Sequence, residues 1–307
     1  MKKTVDIICV GEVVIDFIGH EINTSIANTK NYLRFLGGSP TNVAVNAARL
    51  GLKSVLVATC GADGFGSYII KKLEENKVIT SQIKKTEEYP TSIIFVTKSN
   101  TTPDFIAYRH ADCQINSTQI TEELLESAKI FHTTCFALSK NPSRFTILES
   151  AKKAKSLGLQ LSIDINYSDK IWPDREEAHQ VLKEYLLNDP LVKVSEDDCF
   201  RLFGEIKSEV FIFDYFHGLG ITTVCLTKGK NGVRLSDTKQ GMFFQEAIPL
   251  DEIKDTTGAG DAFWTGFLYA KLQNQSVEEC ISIAQTLASI KLQNVGQLPD
   301  NFDLNNS

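Results

Sequence analysis

The sequence predicts an α/β fold: a central, mostly parallel sheet flanked by helices on both faces. Two observations carry that reading. Short β-branched runs alternate with longer amphipathic segments along most of the 307 residues, and a parallel connection must cross back over its sheet, which an intervening helix allows. The composition, 42% hydrophobic and 23% charged, is that of a globular chain, and about 300 residues bury roughly 75% of the unfolded surface.

Taken in order, strand patterns occupy residues 5–10, 54–59, 130–134, 159–165, 191–194 and 222–226. Helical patterns lie between and around them at 41–50, 66–76, 121–128, 143–157, 175–187, 195–203 and 209–219, where apolar residues recur with the helical period. Two long helices, 258–271 and 277–293, close the chain. Residues 11–36 and 90–108 break the alternation. Their strand-like pieces, 13–18, 92–97 and 105–108, have no helix after each. They form either a small antiparallel sheet standing off the core as a lid or extra edge strands of the main sheet, and pattern alone leaves both open. No repeat or long linker is visible.

Lys and Arg number 32 against 38 Asp and Glu, a net charge of −6. Such a chain has no global field to attract nucleic acid or a membrane surface, so a polyanionic ligand must be held by local geometry. Met1-Lys2-Lys3 opens like a signal peptide, but Asp6, Glu12 and Asp16 cut the apolar stretch that follows. A run of about 18 apolar residues, as a spanning helix needs, is absent. The seven cysteines (Cys9, Cys60, Cys113, Cys135, Cys199, Cys225, Cys280) include no C-x-x-C pair, which suggests reduced thiols in a cytoplasmic protein without disulfides or a zinc site.

The sharpest chemical feature is Asp255-Thr256-Thr257-Gly258-Ala259-Gly260-Asp261, running into a helical pattern. Small residues before a helix leave its first N–H groups open, and these donors with the helix dipole make a pocket for phosphate oxygens. Asp261 would sit in the first turn, able to accept a proton from a hydroxyl attacking phosphorus; the alternative is an acid that only complements the dipole. A second feature is Gly37-Gly38-Ser39-Pro40-Thr41-Asn42, also at a helix start. Paired glycines permit close approach to a ligand, and Asn42 offers a donor and an acceptor, although such a turn is common without a ligand. Asp16 interrupts a strand-like run; it either meets sugar hydroxyls or faces outward. A Walker P-loop is missing, since Gly229-Lys230 lacks the upstream glycine, and so are the protein-kinase H-R-D and D-F-G and a G-x-G-x-x-G after the first strand.

Together, Gly37-Gly38-x-Pro40-x-Asn42 and the 255–261 run resemble the two signatures of the ribokinase-like (PfkB) carbohydrate kinases, and Gly61-Ala62-Asp63-x-Phe65-Gly66 and residues 227–232 extend the likeness over nearly the whole chain. The resemblance implies a single kinase domain over 1–307, with a β lid from about 12–36 and 90–110. It makes Asp261 the catalytic base and the Gly258, Ala259 and Gly260 amides an anion hole. Asp16, Gly38 and Asn42, with Tyr108, Arg109 and Asp164, are implied on the sugar side. Lys193, Ser195, Thr227, Gly229, Gly232, Gly260 and Asn294 are implied on the ATP side. Asp198, in Ser195-x-x-Asp198, stands where the family has N-x-x-E and would act indirectly on magnesium. Asp255 and Thr257 would help hold a potassium ion.

Tyr108-Arg109-x-Ala111-Asp112 resembles, one residue shorter, a stretch of fructokinases and keto-sugar-acid kinases in which the arginine faces the substrate. Asp164-x-Asn166-x-Ser168 with Trp172 resembles another, with serine in place of arginine. An arginine fork is the natural partner of a substrate carboxylate. Fructose is therefore expected ahead of 2-keto-3-deoxygluconate and 5-dehydro-2-deoxygluconate. A binding regulator without catalysis and a nucleoside or vitamin kinase are the rival readings, and a homodimer through the lid is a further expectation.

Overall fold

The structure, a computed structural model, describes residues 3–98, 104–296, 298, 299, 302 and 304. Residues 99–103 of the expected lid, and the remaining positions at the chain ends, lie outside the described residues.

The central sheet has nine strands among the described residues. In chain order they are β1 (Val5–Val10), β4 (Ser54–Gly61), β5 (Ile83–Thr86), β8 (Ala128–Thr134), β9 (Gln160–Asp164), β10 (Leu191–Ser195), β11 (Thr223–Thr227), β12 (Val233–Asp237) and β13 (Gly241–Gln245). Their spatial order is β13-β12-β11-β10-β9-β8-β1-β4-β5. Every pairing from β11 to β5 is parallel, and β12 and β13 add an antiparallel edge. Burial on both faces explains the unbroken apolar runs. In β1, Ile8 and Val10 point into one core layer while Ile7 and Cys9 point into the other, as the two-residue period of a strand requires.

One layer is built by α4 (Ser143–Ser156), α5 (Arg175–Leu186), α6 (Glu196–Phe203) and α7 (Glu209–Gly218), through residues such as Ile147, Leu182, Leu202 and Phe216. The short α3 (Glu122–Ser127) adds Leu125 to the same layer. The opposite layer holds α1 (Ser39–Arg49), α2 (Gly64–Glu75), α8 (Ala259–Leu272) and α9 (Val277–Leu292), through Val43, Ile69, Phe267 and Ile281. A Cβ at Gly266 would lie 2.8 Å from the Ala284 Cα, so α8 and α9 cross at a distance only glycine allows.

The lid-or-edge alternative resolves into a separate sheet. β2 (Val14–Ile22), β3 (Tyr32–Gly37), β6 (Ile93–Lys98) and β7 (Phe105–Tyr108) pair in the order β3-β2-β6-β7. It is mixed rather than antiparallel, because β2 and β6 run parallel. The pattern also passed over β3, β5, β12 and β13. The last of these is mostly exposed, so no apolar run marks it. Among the described residues, no helix is long and apolar enough to cross a membrane.

Candidate active site

The chemistry-bearing residues gather at the carboxyl ends of the parallel strands, where open α/β sheets present ligand crevices. Asp164 ends β9, Lys193 stands near the end of β10, and Ser195 pairs with Thr227 across β10 and β11. Over these ends lie the N-termini of α1 and α8. Gly258 precedes α8 with φ 75°, a left-handed conformation that glycine adopts without strain.

Asp261, 9% exposed, stands on the first turn of α8. Its Oδ1 accepts a hydrogen bond from Ser39 Oγ at 2.6 Å and its Oδ2 accepts one from Asn42 Nδ2 at 2.8 Å. Burial pushes its carboxyl above the usual range, while these two donors and the Lys193 and Lys291 ammonium groups work against that. The two motifs, more than 200 residues apart, thus meet on one carboxylate. Ser39 is a member the sequence reading missed; it lies inside the G-G-S-P signature.

Glu12, 3% exposed, builds this junction from below. Its Oε1 accepts the Ser39 N–H at 3.0 Å, its Oε2 accepts Thr134 Oγ1 at 3.1 Å, and its carbonyl oxygen accepts Thr41 Oγ1 at 2.9 Å. Gly38, at φ 103°, passes so close that a Cβ would lie 2.3 Å from the same carbonyl oxygen. Among the described residues no ammonium or guanidinium is bonded to the Glu12 carboxyl, and burial raises it to about 8.

On the other side of the α8 turn, Lys193 Nζ donates to both carboxylate oxygens of Asp164, at 2.9 and 2.8 Å, with both side chains buried. Burial alone would lower the Lys193 pKa, but Asp164, Asp198 and Asp261 hold it raised, so the ammonium stays charged. A Cβ on Gly260 would come within 2.9 Å of that Nζ. A fixed positive charge therefore stands against the small-residue turn, an arrangement that favours an anion there. Of the three expected amides, the Ala259 N–H is turned onto the Thr256 carbonyl at 3.2 Å.

Ser195 caps α6, its Oγ accepting the Asp198 N–H at 3.0 Å and donating to Asp198 Oδ2 at 2.5 Å, and Arg201 Nη2 donates to Asp198 Oδ1 at 2.6 Å. Among the described residues no cluster of three or more His, Cys, Asp or Glu could hold a metal. Gly229 and Gly232, with φ of 52° and 84°, shape the turn after Thr227. The Asn294 side chain donates to the Ile290 carbonyl at 2.8 Å beyond the end of α9. The residues expected around potassium hold an ammonium instead: Lys291 Nζ donates to Asp255 Oδ2 at 3.1 Å, while Thr257 N–H binds the other oxygen at 2.9 Å.

Asp16, Asn42, Asp255, Thr257, Gly258 and Lys291 line one cleft. Asp16 is pushed up to about 7 by burial and by the charge of Asp261. Of the other expected substrate contacts, Gly38 stands at the turn before α1 and Asp164 at the end of β9, while Tyr108 and Arg109 are turned to other partners. Asp16 is in register with Phe35 and Ile94, whereas Tyr108 pairs with Ile93 and through it with Ile15; adjacent residues of a strand point to opposite faces, so Tyr108 faces away from Asp16. It lines a second cleft with Arg34, Asp63 and Phe65. Arg109 is spent on structure. Its Nε and Nη2 donate to Asp112 Oδ2 at 2.8 and 2.6 Å, Nη1 meets Ser139 Oγ, and the guanidinium lies over the Phe136 ring. Lys170 is likewise drawn to Asp104 and the Phe105 carbonyl of β7.

The model of the pfkB family carbohydrate kinases matches residues 5–301. The chain belongs to that family. An ATP-dependent 6-phosphofructokinase from Thermoanaerobacterium thermosaccharolyticum is 33% identical over 302 residues, covering 98% of this chain and 92% of the relative. The solved structure of Halothermothrix orenii fructokinase is 34% identical, with a TM-score of 0.80 over 92% of this chain and 98% of its own. An uncharacterized sugar kinase from Pyrococcus horikoshii, solved in complex with ATP, is 30% identical with a TM-score of 0.83, covering 94% and 93%. The pfkB fold accounts for both the nine-stranded sheet and the separate small one, and the enzyme is a sugar phosphotransferase with a ribokinase-like fold.

Proposed function

We propose that this pfkB-family enzyme transfers the γ-phosphoryl group of ATP to a primary hydroxyl of fructose. The observation that carries the reading is Asp261, held between Ser39 and Asn42 at the start of α8. An ionised carboxylate offers about four lone-pair sites, so two donors leave room for the sugar hydroxyl. Asp261 takes that proton as oxygen attacks phosphorus, and the proton stays on its carboxyl until solvent removes it. The Gly258 and Gly260 amides, with the Ala259 amide once released from Thr256, meet the charge that builds on the transferred phosphoryl oxygens, with Lys193 beside them. Asp16 accepts from sugar hydroxyls when ionised, and Asn42 orients the same sugar. Ser195, Thr227, Gly229, Gly232 and Asn294 are read as the ATP side. Magnesium, held by phosphate oxygens with one or two carboxylates nearby, would neutralise phosphate charge, and Asp198 is read as the acid that would act on it indirectly.

A neutral acceptor is favoured by the charges around the cleft. Among the described residues that line it, Asp16 and Asp255 are acids, and the one cation, Lys291, is already on Asp255. The 33% identity to a 6-phosphofructokinase keeps fructose 6-phosphate as a second reading. ADP release with fructose, fructose 6-phosphate, 2-keto-3-deoxygluconate, 5-dehydro-2-deoxygluconate and ribose tests both. The highest kcat/KM should fall on fructose; a preference for fructose 6-phosphate would reassign the substrate.

The small sheet is read as a lid whose outer face pairs two copies. Support comes from an aromatic patch on that face: Phe95 stacks on Phe17 and meets Tyr32 and Tyr108 edge-on, and Ile106 is 42% exposed beside it. In sedimentation, the wild type should run as a dimer and Ile106→Glu as a monomer. A wild-type monomer at all concentrations would refute the pairing.

A further inference from the structure

Lys291 is the penultimate residue of α9 and is buried where that helix meets the turn opening α8. Its ammonium donates to Asp255 Oδ2 and to the Asn294 carbonyl, both at 3.1 Å. The same Asp255 oxygen accepts the Gly296 N–H at 3.1 Å, and the other accepts the Thr257 N–H at 2.9 Å. A Cβ on Gly258 would lie 3.8 Å from both the Lys291 Cε and Asp261 Oδ2. One positive charge therefore joins three segments: the turn before α8, the end of α9 and the loop that follows it. A carboxylate oxygen and a backbone carbonyl are also what a potassium ion would take in exchange for its water shell. A potassium ion set on Asp255 would share that oxygen with a like charge only a few ångströms away, and in a buried site such repulsion is weakly screened.

We propose that Lys291 is a tethered substitute for a monovalent cation, so that this kinase holds its phosphate-binding turn with its own ammonium and needs no potassium. The inference rests on the assignment of residues 255–261 as that turn and adds the means by which it is held. A tethered charge does not depend on ion concentration, whereas a free ion would bind and leave with it.

The test compares the wild-type enzyme with Lys291→Ala and Lys291→Met at constant ionic strength in tetramethylammonium, sodium, potassium and ammonium chlorides. Wild-type kcat/KM should change by less than about twofold among the salts, while Lys291→Ala should lose about tenfold or more in tetramethylammonium. Potassium or ammonium should restore part of that loss by entering the space the side chain leaves. Melting temperature provides a readout independent of turnover: potassium should raise it for Lys291→Ala and leave the wild type unmoved. Lys291→Met keeps the apolar stem, so it reports on the charge if the alanine variant does not fold, and its melting should also be more salt-sensitive than the wild type. A wild-type enzyme activated severalfold by potassium over sodium would overturn the proposal, as would variants whose melting responds to salt like the wild type. Absence of turnover by the wild type in every salt would instead sink the kinase reading, and the melting series would still decide the role of Lys291.

Discussion

Two ammonium–carboxylate pairs, one buried and one partly buried, flank the turn that starts α8, and they differ in what else the ammonium can reach. Lys193 grips both oxygens of Asp164 and lies against the backbone of Gly260, where a phosphoryl group would sit. Lys291 takes one oxygen of Asp255 and a loop carbonyl, and the remaining bonds of Asp255 go to backbone N–H groups. On the proposed reading, the same charge pair would meet substrate charge on one side, while on the other it holds chain segments together. Glu12 provides the contrast: among the described residues no ammonium is bonded to this buried acid, and its carboxyl is raised to about 8 while that of Asp255 is lowered.

The largest effect that separates the two pairs should come from Lys193→Met. Removing one preorganised stabiliser of transition-state charge costs about 100- to 1,000-fold in kcat, and leaving Asp164 unpaired should cost about 3–5 kcal/mol of stability. Steady-state kinetics with sugar KM measured separately would show kcat falling while sugar KM holds. A fall in stability with kcat intact would make Lys193 as structural as Lys291.

Glu12→Gln should have a smaller effect, visible as a pH dependence. A carboxyl whose folded pKa is raised binds a proton in the native state that the unfolded chain has already released, so its contribution to stability is full below the unfolded value near 4.5 and is lost as pH rises toward about 8. The wild type should therefore lose up to about 1.4 kcal/mol per pH unit relative to the glutamine variant across that window. Melting curves of both proteins at several pH values would check this; parallel curves would mean that Glu12 is ionised in the fold.

Much of this architecture is legible in the sequence, and the gaps have physical causes. The alternating strands and helices read directly because both faces of the sheet are buried. The β12–β13 edge did not, because β13 is largely exposed and its residues carry no core pattern. In the site, 255–261 and Gly38–Asn42 announce themselves by glycines at helix starts. Ser39, Glu12 and Lys291 act through partners 27 to 222 positions away, and no local pattern marks such a partner. Arg109 shows the converse: its motif was visible, but Asp112, Ser139 and Phe136 hold its guanidinium. The face that Tyr108 takes was not legible, because it is set by the register of the small sheet and so by pairing to β6.

The central claim is that Asp261 takes the proton from the sugar as phosphorus is attacked, and the direct measurement is single-turnover phosphorylation of fructose by Asp261→Asn with ATP in excess. The asparagine keeps the size of the side chain and can still accept from Ser39, so binding should survive while the rate falls by about 100- to 10,000-fold. A variant that phosphorylates fructose as fast as the wild type would contradict the assignment.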